Sequence, residues 1–230
     1  MTHPDPARQG RLTARPDSPT RPGWATGLQR AGLHATRDAL LFVPVTYQPE
    51  RPHRLVVMLH GAGSNPRHAL DPFLDHAAEH DLLLLAPASR GPTWDVIRTE
   101  YGGDVAFIDA ALHWVFERYA LKTAPVVIEG FSDGASYALS LGLTNGDLFT
   151  HVIAFAPGFA APAMHVGAPR VFVAHGTRDT VLPIERCSRV LAPRLQRSGY
   201  DVHYQEFDGP HVVPDAAVRD ALAWLSSEGA

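Results

Sequence analysis

The chain has 230 residues, 45% of them apolar, with 24 acidic and 20 basic side chains and a formal charge of −4. This length suits one α/β domain with a large core, and the lack of basic blocks argues against nucleic acid or an anionic membrane surface as partner. The single cysteine, Cys187, excludes an intrachain disulfide framework, and no apolar run is long enough to span a membrane.

Residues 1–10 are polar and Pro-rich with no apolar signal region, so a cytoplasmic protein is expected. Residues 1–9 read as a disordered tail and 10–230 as a single domain. Residues 10–16 (GRLTARP) read as a short edge strand ended by its proline. Residues 17–32 read as a Pro- and Gly-rich loop, and 38–45 as a strand that Pro44 pushes towards a sheet edge. Residues 55–59 (LVVML) are continuously apolar, as in a strand buried on both faces. They end in His60-Gly61-Ala62-Gly63-Ser64-Asn65, after which a helix begins near Pro66. Residues 82–85 form the next buried strand, and 86–98 a loop carrying Trp94. Over 104–119, Val105, Ile108, Leu112, Val115 and Tyr119 recur at helical spacing.

The run 126–136, VVIEGFSDGAS, joins an apolar strand to Gly-x-Ser-x-Gly and then to a helix. That is the context in which the motif forms a nucleophile elbow; in another context it is a glycine-rich loop with a surface serine. Residues 151–156 form a further strand, followed by a Pro/Ala/Gly loop to 169. Residues 171–174 form a strand running into HGTRDTVLP at 175–183, then a helix to about 198, kinked at Pro193 and ended by Gly199. Cys187 lies on the stripe Ile184, Cys187, Leu191, Leu195 and reads as a core residue. Residues 202–207 alternate as a strand, Asp208-Gly209-Pro210 turns, His211 follows, and the last helix shows Val218, Ala221, Leu222 and Leu225 on one face.

Strands alternating with helices imply a mostly parallel sheet with helices on both faces and an antiparallel N-terminal edge. In such sheets ligands bind beyond the carboxyl ends of the strands. His60-Gly61-Ala62, Ser132 and Asp179 directly follow strands, and His211 follows one after a short turn. A serine hydroxyl needs a base, and the base an acid to orient it. Ser132, Asp179 and His211 stand in the order nucleophile, acid, base known from the α/β-hydrolase fold. Asp179 has a rival reading as a turn or N-cap residue. Of the rival bases, His175 suits shaping the turn before Asp179, and His203 lies inside a strand. The backbone N–H groups of Asp133 and Ala62 are the expected oxyanion donors, with the Asp133 carboxylate turned away and held by hydrogen bonds.

LHGAG, GFSDGAS, HGTRDTVLP and GPHVVP, in this order, resemble the phospholipase/carboxylesterase family of α/β-hydrolases, which includes acyl-protein thioesterases and small bacterial carboxylesterases. PASRGPTWD and GDVAFIDAAL are similar to the polyhydroxyalkanoate-depolymerase and feruloyl-esterase relatives. The resemblance spans about residues 55–225. It implies Ser132 as nucleophile, Asp179 as acid, His211 as base, and Ala62 with Asp133 as oxyanion donors. Asp133 departs from the glutamine usual in the thioesterases. The segment between Pro157 and Pro169, where many relatives insert a cap, is short here, so no large cap is expected.

The resulting expectation is a cofactor-independent serine hydrolase cleaving short or soluble carboxylic esters through an acyl-enzyme, as a monomer or homodimer. A thioesterase, lactone hydrolase or peptidase on the same triad, and a non-turnover receptor, are the rivals. Trp94, Ile97, Phe159 and Met164 are candidates for an acyl pocket, or else hydrophobes that anchor loops. His76 and His80, four apart, read as a solvated helix face and not as metal ligands, so no metal is expected.

Overall fold

A computed structural model describes residues 5–23, 25–51, 53–121 and 125–227. Among the described residues eight strands form one sheet: β1 (Gly27–Arg30), β2 (Ala39–Val43), β3 (Arg54–Leu59), β4 (Leu82–Pro87), β5 (Val126–Phe131), β6 (His151–Phe155), β7 (Arg170–Gly176) and β8 (Val202–Phe207). Their spatial order is β1-β2-β4-β3-β5-β6-β7-β8, with β2 antiparallel to both neighbours and all later pairs parallel. The helices are α1 (Pro66–Leu74), α2 (Asp95–Arg98), α3 (Gly103–Phe116), α4 (Asp133–Thr144), α5 (Ser188–Arg197) and α6 (Asp215–Ser226).

The central strands are apolar throughout because both sheet faces are covered. Leu55, Val57 and Leu59 of β3 point into the core shared with α3, α4 and α5, while Val56 and Met58 point into the core under α1 and α6. Cys187 is buried beside Ile184, Leu191 and Leu195, as its stripe suggests. Pro193 lies inside α5, and Gly199 follows the helix at φ 89°. Among the described residues, no helix is long and apolar enough to cross a membrane.

The N-terminal region departs from expectation. Pro6–Gln9 forms a 3₁₀ turn capped by Asp5, whereas residues 1–4 of the expected tail lie outside the described residues. Residues 10–16 belong to no strand. Gly10 is left-handed at φ 68°, and beyond it burial alternates, with Leu12 and Ala14 buried and Thr13 and Arg15 exposed. The partners are side chains on helices: Asp109 accepts from Thr13 and Ala14 N–H at 2.7 and 2.8 Å, and Asn145 accepts from Leu12 N–H and donates to Gly10 carbonyl. The alternation is that of an extended segment, and what it lacks is a neighbouring backbone. The edge strand is β1, inside the stretch read as loop, so β2 is an internal strand that ends just before Pro44. The expected loop after residue 85 is shorter than read, since β4 runs to Pro87 and α2 forms a turn of helix.

Asp147 fastens the same N-terminal segment. It takes a bidentate pair from Arg11 at 2.7 and 2.9 Å and a further contact from Arg15 at 2.5 Å. The Arg11 hydrogen bonds, opposed by burial and aided by Arg15, pull its carboxyl from 3.8 to about 2. The folded value lies below the unfolded one, so the stabilisation is full above about pH 4 and fades as pH falls towards 2. The group is partly solvated, so its worth is about 1 kcal/mol. Asp147→Asn should therefore lower the melting temperature near pH 7 by about 2–4 °C, and this gap should shrink to roughly half by about pH 3. A gap independent of pH in calorimetry would contradict the assignment.

Candidate active site

The site is built around a turn that only glycine can flank. Ser132 sits between β5 and α4 at φ 59°, ψ −122°, a left-handed conformation that costs a non-glycine residue of order 1–3 kcal/mol. Its N–H donates to Phe155 carbonyl at 2.9 Å, and Ser136 N–H returns to its own carbonyl at 3.0 Å. The helix enters so close to the sheet that a Cβ on Gly130 would lie 2.2 Å from Gly134 carbonyl oxygen, and one on Gly134 would lie 2.0 Å from Leu59 carbonyl oxygen. The hydroxyl is thereby held at the carboxyl end of the sheet, at the N-terminus of α4 and its free N–H groups.

His211, on the loop after β8, brings Nε2 to 2.9 Å from Ser132 Oγ, and its Nδ1 donates to Asp179 Oδ2 at 2.5 Å. The Phe131 ring lies 4.6 Å from the imidazole and limits its tilt. Asp179 is 6% exposed, and both its oxygens are fully used. Oδ1 accepts the N–H groups of Val181 and Leu182, each at 2.8 Å, while Oδ2 accepts from His211 and from His175 Nε2 at 3.1 Å. Burial alone would raise this carboxyl; the bonds from His211, Leu182 and Val181 outweigh it and hold the group below the usual carboxylate value. The three residues singled out from sequence thus meet in one hydrogen-bonded chain.

His175 has a larger part than the turn-shaping expected of it. Nε2 faces two acceptors, Leu182 carbonyl at 2.9 Å and Asp179, so it carries the proton, and Nδ1 accepts from Ser188 Oγ at 2.7 Å. Burial lowers its basicity against the pull of these acceptors, which suits a neutral ring that orients the acid.

The turn after β3 lies against Ser132; a Cβ on Gly61 would stand 3.5 Å from Ser132 Cβ. Four hydrogen bonds fix the turn. Trp94 Nε1 donates to His60 carbonyl at 2.9 Å, Gly63 N–H donates to Pro92 carbonyl at 2.7 Å, and His60 Nδ1 donates to Gly61 carbonyl at 2.8 Å while its Nε2 accepts from Ser89 N–H. Burial lowers the His60 pKa, consistent with this neutral tautomer. Ala62, the expected oxyanion donor, is on this turn. The Asp133 carboxylate accepts from Thr93 Oγ1 at 2.7 Å.

A cavity of about 530 Å³ opens beside Ser132, walled by the turn at 60–64, by Ala69 and Pro72 of α1, by Phe131 and Glu129 of β5, and by Val181 and residues 211–213. None of the four residues expected to form a pocket lines it. Trp94 is fully buried, stacked on Tyr137 at 5.1 Å and 15°, and Ile97 packs on the core. Phe159 and Met164 stand more than one third exposed on the loop after β6. They are corrected to core and loop residues for a packing reason: the Trp94–Tyr137 stack fills the α4 side, and the free space lies on the α1 side. Glu129 lines the cavity without being among the residues expected there. The available signal was an acid inside a run otherwise suited to a strand buried on both faces. His76, Glu79 and His80 offer ligand atoms within 4.8 Å of one another, away from this cavity's lining, and His76 Nε2 is engaged by Asp215 Oδ1 at 2.9 Å.

No protein-family model matches the chain. It is 28% identical over 164 residues to probable feruloyl esterase C of Aspergillus oryzae, covering 67% of this chain and 60% of that protein. Feruloyl esterase C of Emericella nidulans is 27% identical over 157 residues, covering 65% and 57%. The chain therefore spans less than two thirds of the length of these curated relatives. Among solved structures, esterase PE8 aligns with TM-score 0.65 and 24% identity over 80% of this chain and 95% of that one. A Staphylococcus aureus fluorophosphonate-binding serine hydrolase aligns with TM-score 0.67 and 15% identity over 89% and 99%. With the strand order above, these likenesses give the chain the α/β-hydrolase fold.

Two glycines in the site separate close approach from backbone freedom. Gly134→Ala should give no cooperative melting transition, because no shift of a side chain can clear backbone oxygen at 2.0 Å. Gly63→Ala, at φ 67° in open space, should fold and lose only about 1–2 kcal/mol in a denaturant titration. Equal damage from both would refute the distinction.

Proposed function

We propose that this chain is a serine hydrolase of small carboxylic esters, working through an acyl-enzyme. The observation that carries the reading is the unbroken chain from Ser132 Oγ through His211 to Asp179, opening on a cavity. His211 Nε2 takes the hydroxyl proton as Oγ attacks the ester carbonyl carbon. Asp179 holds the imidazole in the tautomer with Nδ1 protonated and stabilises the imidazolium. The tetrahedral oxyanion is met by the N–H groups of Asp133 and Ala62. His211 then returns the proton to the leaving alkoxide, which departs as alcohol. Water, deprotonated by the same imidazole, releases the acid and frees Ser132. No cofactor enters any step.

Two features favour soluble substrates. The segment after β6 is short and tied down on α4: Ser136, Ser140 and Thr144 accept from the N–H groups of Gly158, Ala161 and Ala163. Among the described residues this segment forms no large lid over the site. The relatives named feruloyl esterases suggest aromatic acids as acyl groups, and a cavity of about 530 Å³ has room for one.

Fluorophosphonate should label wild type at Ser132. With p-nitrophenyl esters from acetate to octanoate, Ser132→Ala should lose about 10⁴-fold or more in kcat, and the wild-type rate should fall with longer chains. Retained turnover in the variant, or no labelling and no hydrolysis in wild type, would overturn the reading. Asp133→Asn should change kcat/KM by no more than a few-fold, since the carboxylate is engaged by Thr93; a large gain would show it opposing the oxyanion.

A further inference from the structure

Glu129 is the anomaly of the cavity. It lies on β5 three residues before Ser132, in register between Met58 of β3 and Ile153 of β6, with Val127 and Phe131 on the same strand face. An apolar residue would complete that surface. Instead a carboxyl stands there, 4% exposed, and its residue lines the cavity. Among the described residues no hydrogen-bond donor or cation meets it. Burial, acting alone, pushes its pKa well above the usual carboxylate value.

A buried polar group without a partner is costly and rare in folded proteins. A carboxylic acid kept neutral carries one O–H donor and a carbonyl acceptor. Those are the two functions that a ligand hydroxyl satisfies together, accepting from one oxygen and donating to the other. A hydrocarbon group in the cavity would leave both unused. A ligand cation would first require Glu129 to lose its proton. The other titratable residues lining this space are His60, His68 and His211, none of which brings a second negative charge to share that cation.

We infer that Glu129 is the recognition group for a hydroxyl borne on whichever part of the ester fills this cavity, so that the site selects hydroxylated over plain aromatic esters. The inference rests on the ester-hydrolase reading and extends it to a substrate class. The acyl side and the alcohol side of an ester can each present such a hydroxyl. Sites built to hydrogen-bond a substrate hydroxyl discriminate strongly against the analogue that lacks it, because the protein group is then left unpaired.

The test compares two matched pairs. On the acyl side these are the p-nitrophenyl esters of 3-(4-hydroxyphenyl)propanoic and 3-phenylpropanoic acid. On the alcohol side they are the acetates of 4-hydroxyphenethyl alcohol and 2-phenylethanol. Wild type should favour the hydroxylated member of one pair by about tenfold or more in kcat/KM, and that pair identifies which moiety occupies the cavity. Glu129→Gln, which keeps a donor and an acceptor, should retain most of the preference. Glu129→Met and Glu129→Leu should reduce the ratio to near one, each checked for folding by its melting curve. A wild-type ratio near one in both pairs, or a preference unchanged in the apolar variants, would overturn the inference while leaving ester hydrolysis intact. If no ester is turned over, the hydrolase reading fails separately. Calorimetric affinities of 4-hydroxyphenethyl alcohol against 2-phenylethanol, in wild type and Glu129→Met, then decide the role of Glu129 by the same ratio.

Discussion

The structure depends on one close approach, that of α4 to the end of β3 and β5. The approach requires glycine at 130 and 134, throws Ser132 into a left-handed turn, and aims the start of the helix at the space above the sheet. Strain at Ser132 is sustained because its neighbours over-determine it. Its N–H is fixed by β6 and its carbonyl by Ser136, and the helix is buried from Gly134 to Thr144. The imidazole and the acid then need only reach a fixed point. Asp179 can do so because β7 ends beside β5's neighbour, and His211 because β8 ends one strand farther out.

Around that point the protein uses side-chain hydrogen bonds where other folds use backbone ladders. The segment at 10–15 is received by Asp109, Asn145 and Asp147 on and after two helices. The loop after β6 is received by hydroxyls of α4. Each hydroxyl also donates to the carbonyl four residues earlier, Ser136 to Ser132, Ser140 to Ser136 and Thr144 to Ser140, so every one is both donor and acceptor. Such bonds leave no trace in hydrophobic periodicity.

That explains what could and could not be read from the chain. The strands β3 to β7 announce themselves because burial on both faces demands largely apolar runs, and the Ser132, Asp179 and His211 positions follow from strand ends. The strand β1 (GLQR) has no apolar run, and only its pairing with β2 makes it a strand. Residues 10–16 carry the alternation of a strand, but alternation reports an extended backbone and is silent on the partner. The pocket residues were the least legible. Trp94, Ile97, Phe159 and Met164 lie in the connections after strands, Ile97 within the short α2, but which side of Ser132 remains open depends on how Trp94 and Tyr137 stack. Glu129 could be seen as out of character in its strand, though its meaning rests on the cavity above it.

The hydroxyls of α4 also mark where this scaffold tolerates growth. They fasten the outgoing chain at 158, 161 and 163, and Val166 N–H is caught by Leu143 carbonyl at 3.0 Å. Between the last two fasteners lie Met164 and His165, with Met164 39% exposed. A seam at that point would accept an inserted segment without peeling the chain from α4 or disturbing the elbow below. An engineer wishing to roof this open site would splice there, about three turns along α4 from Ser132.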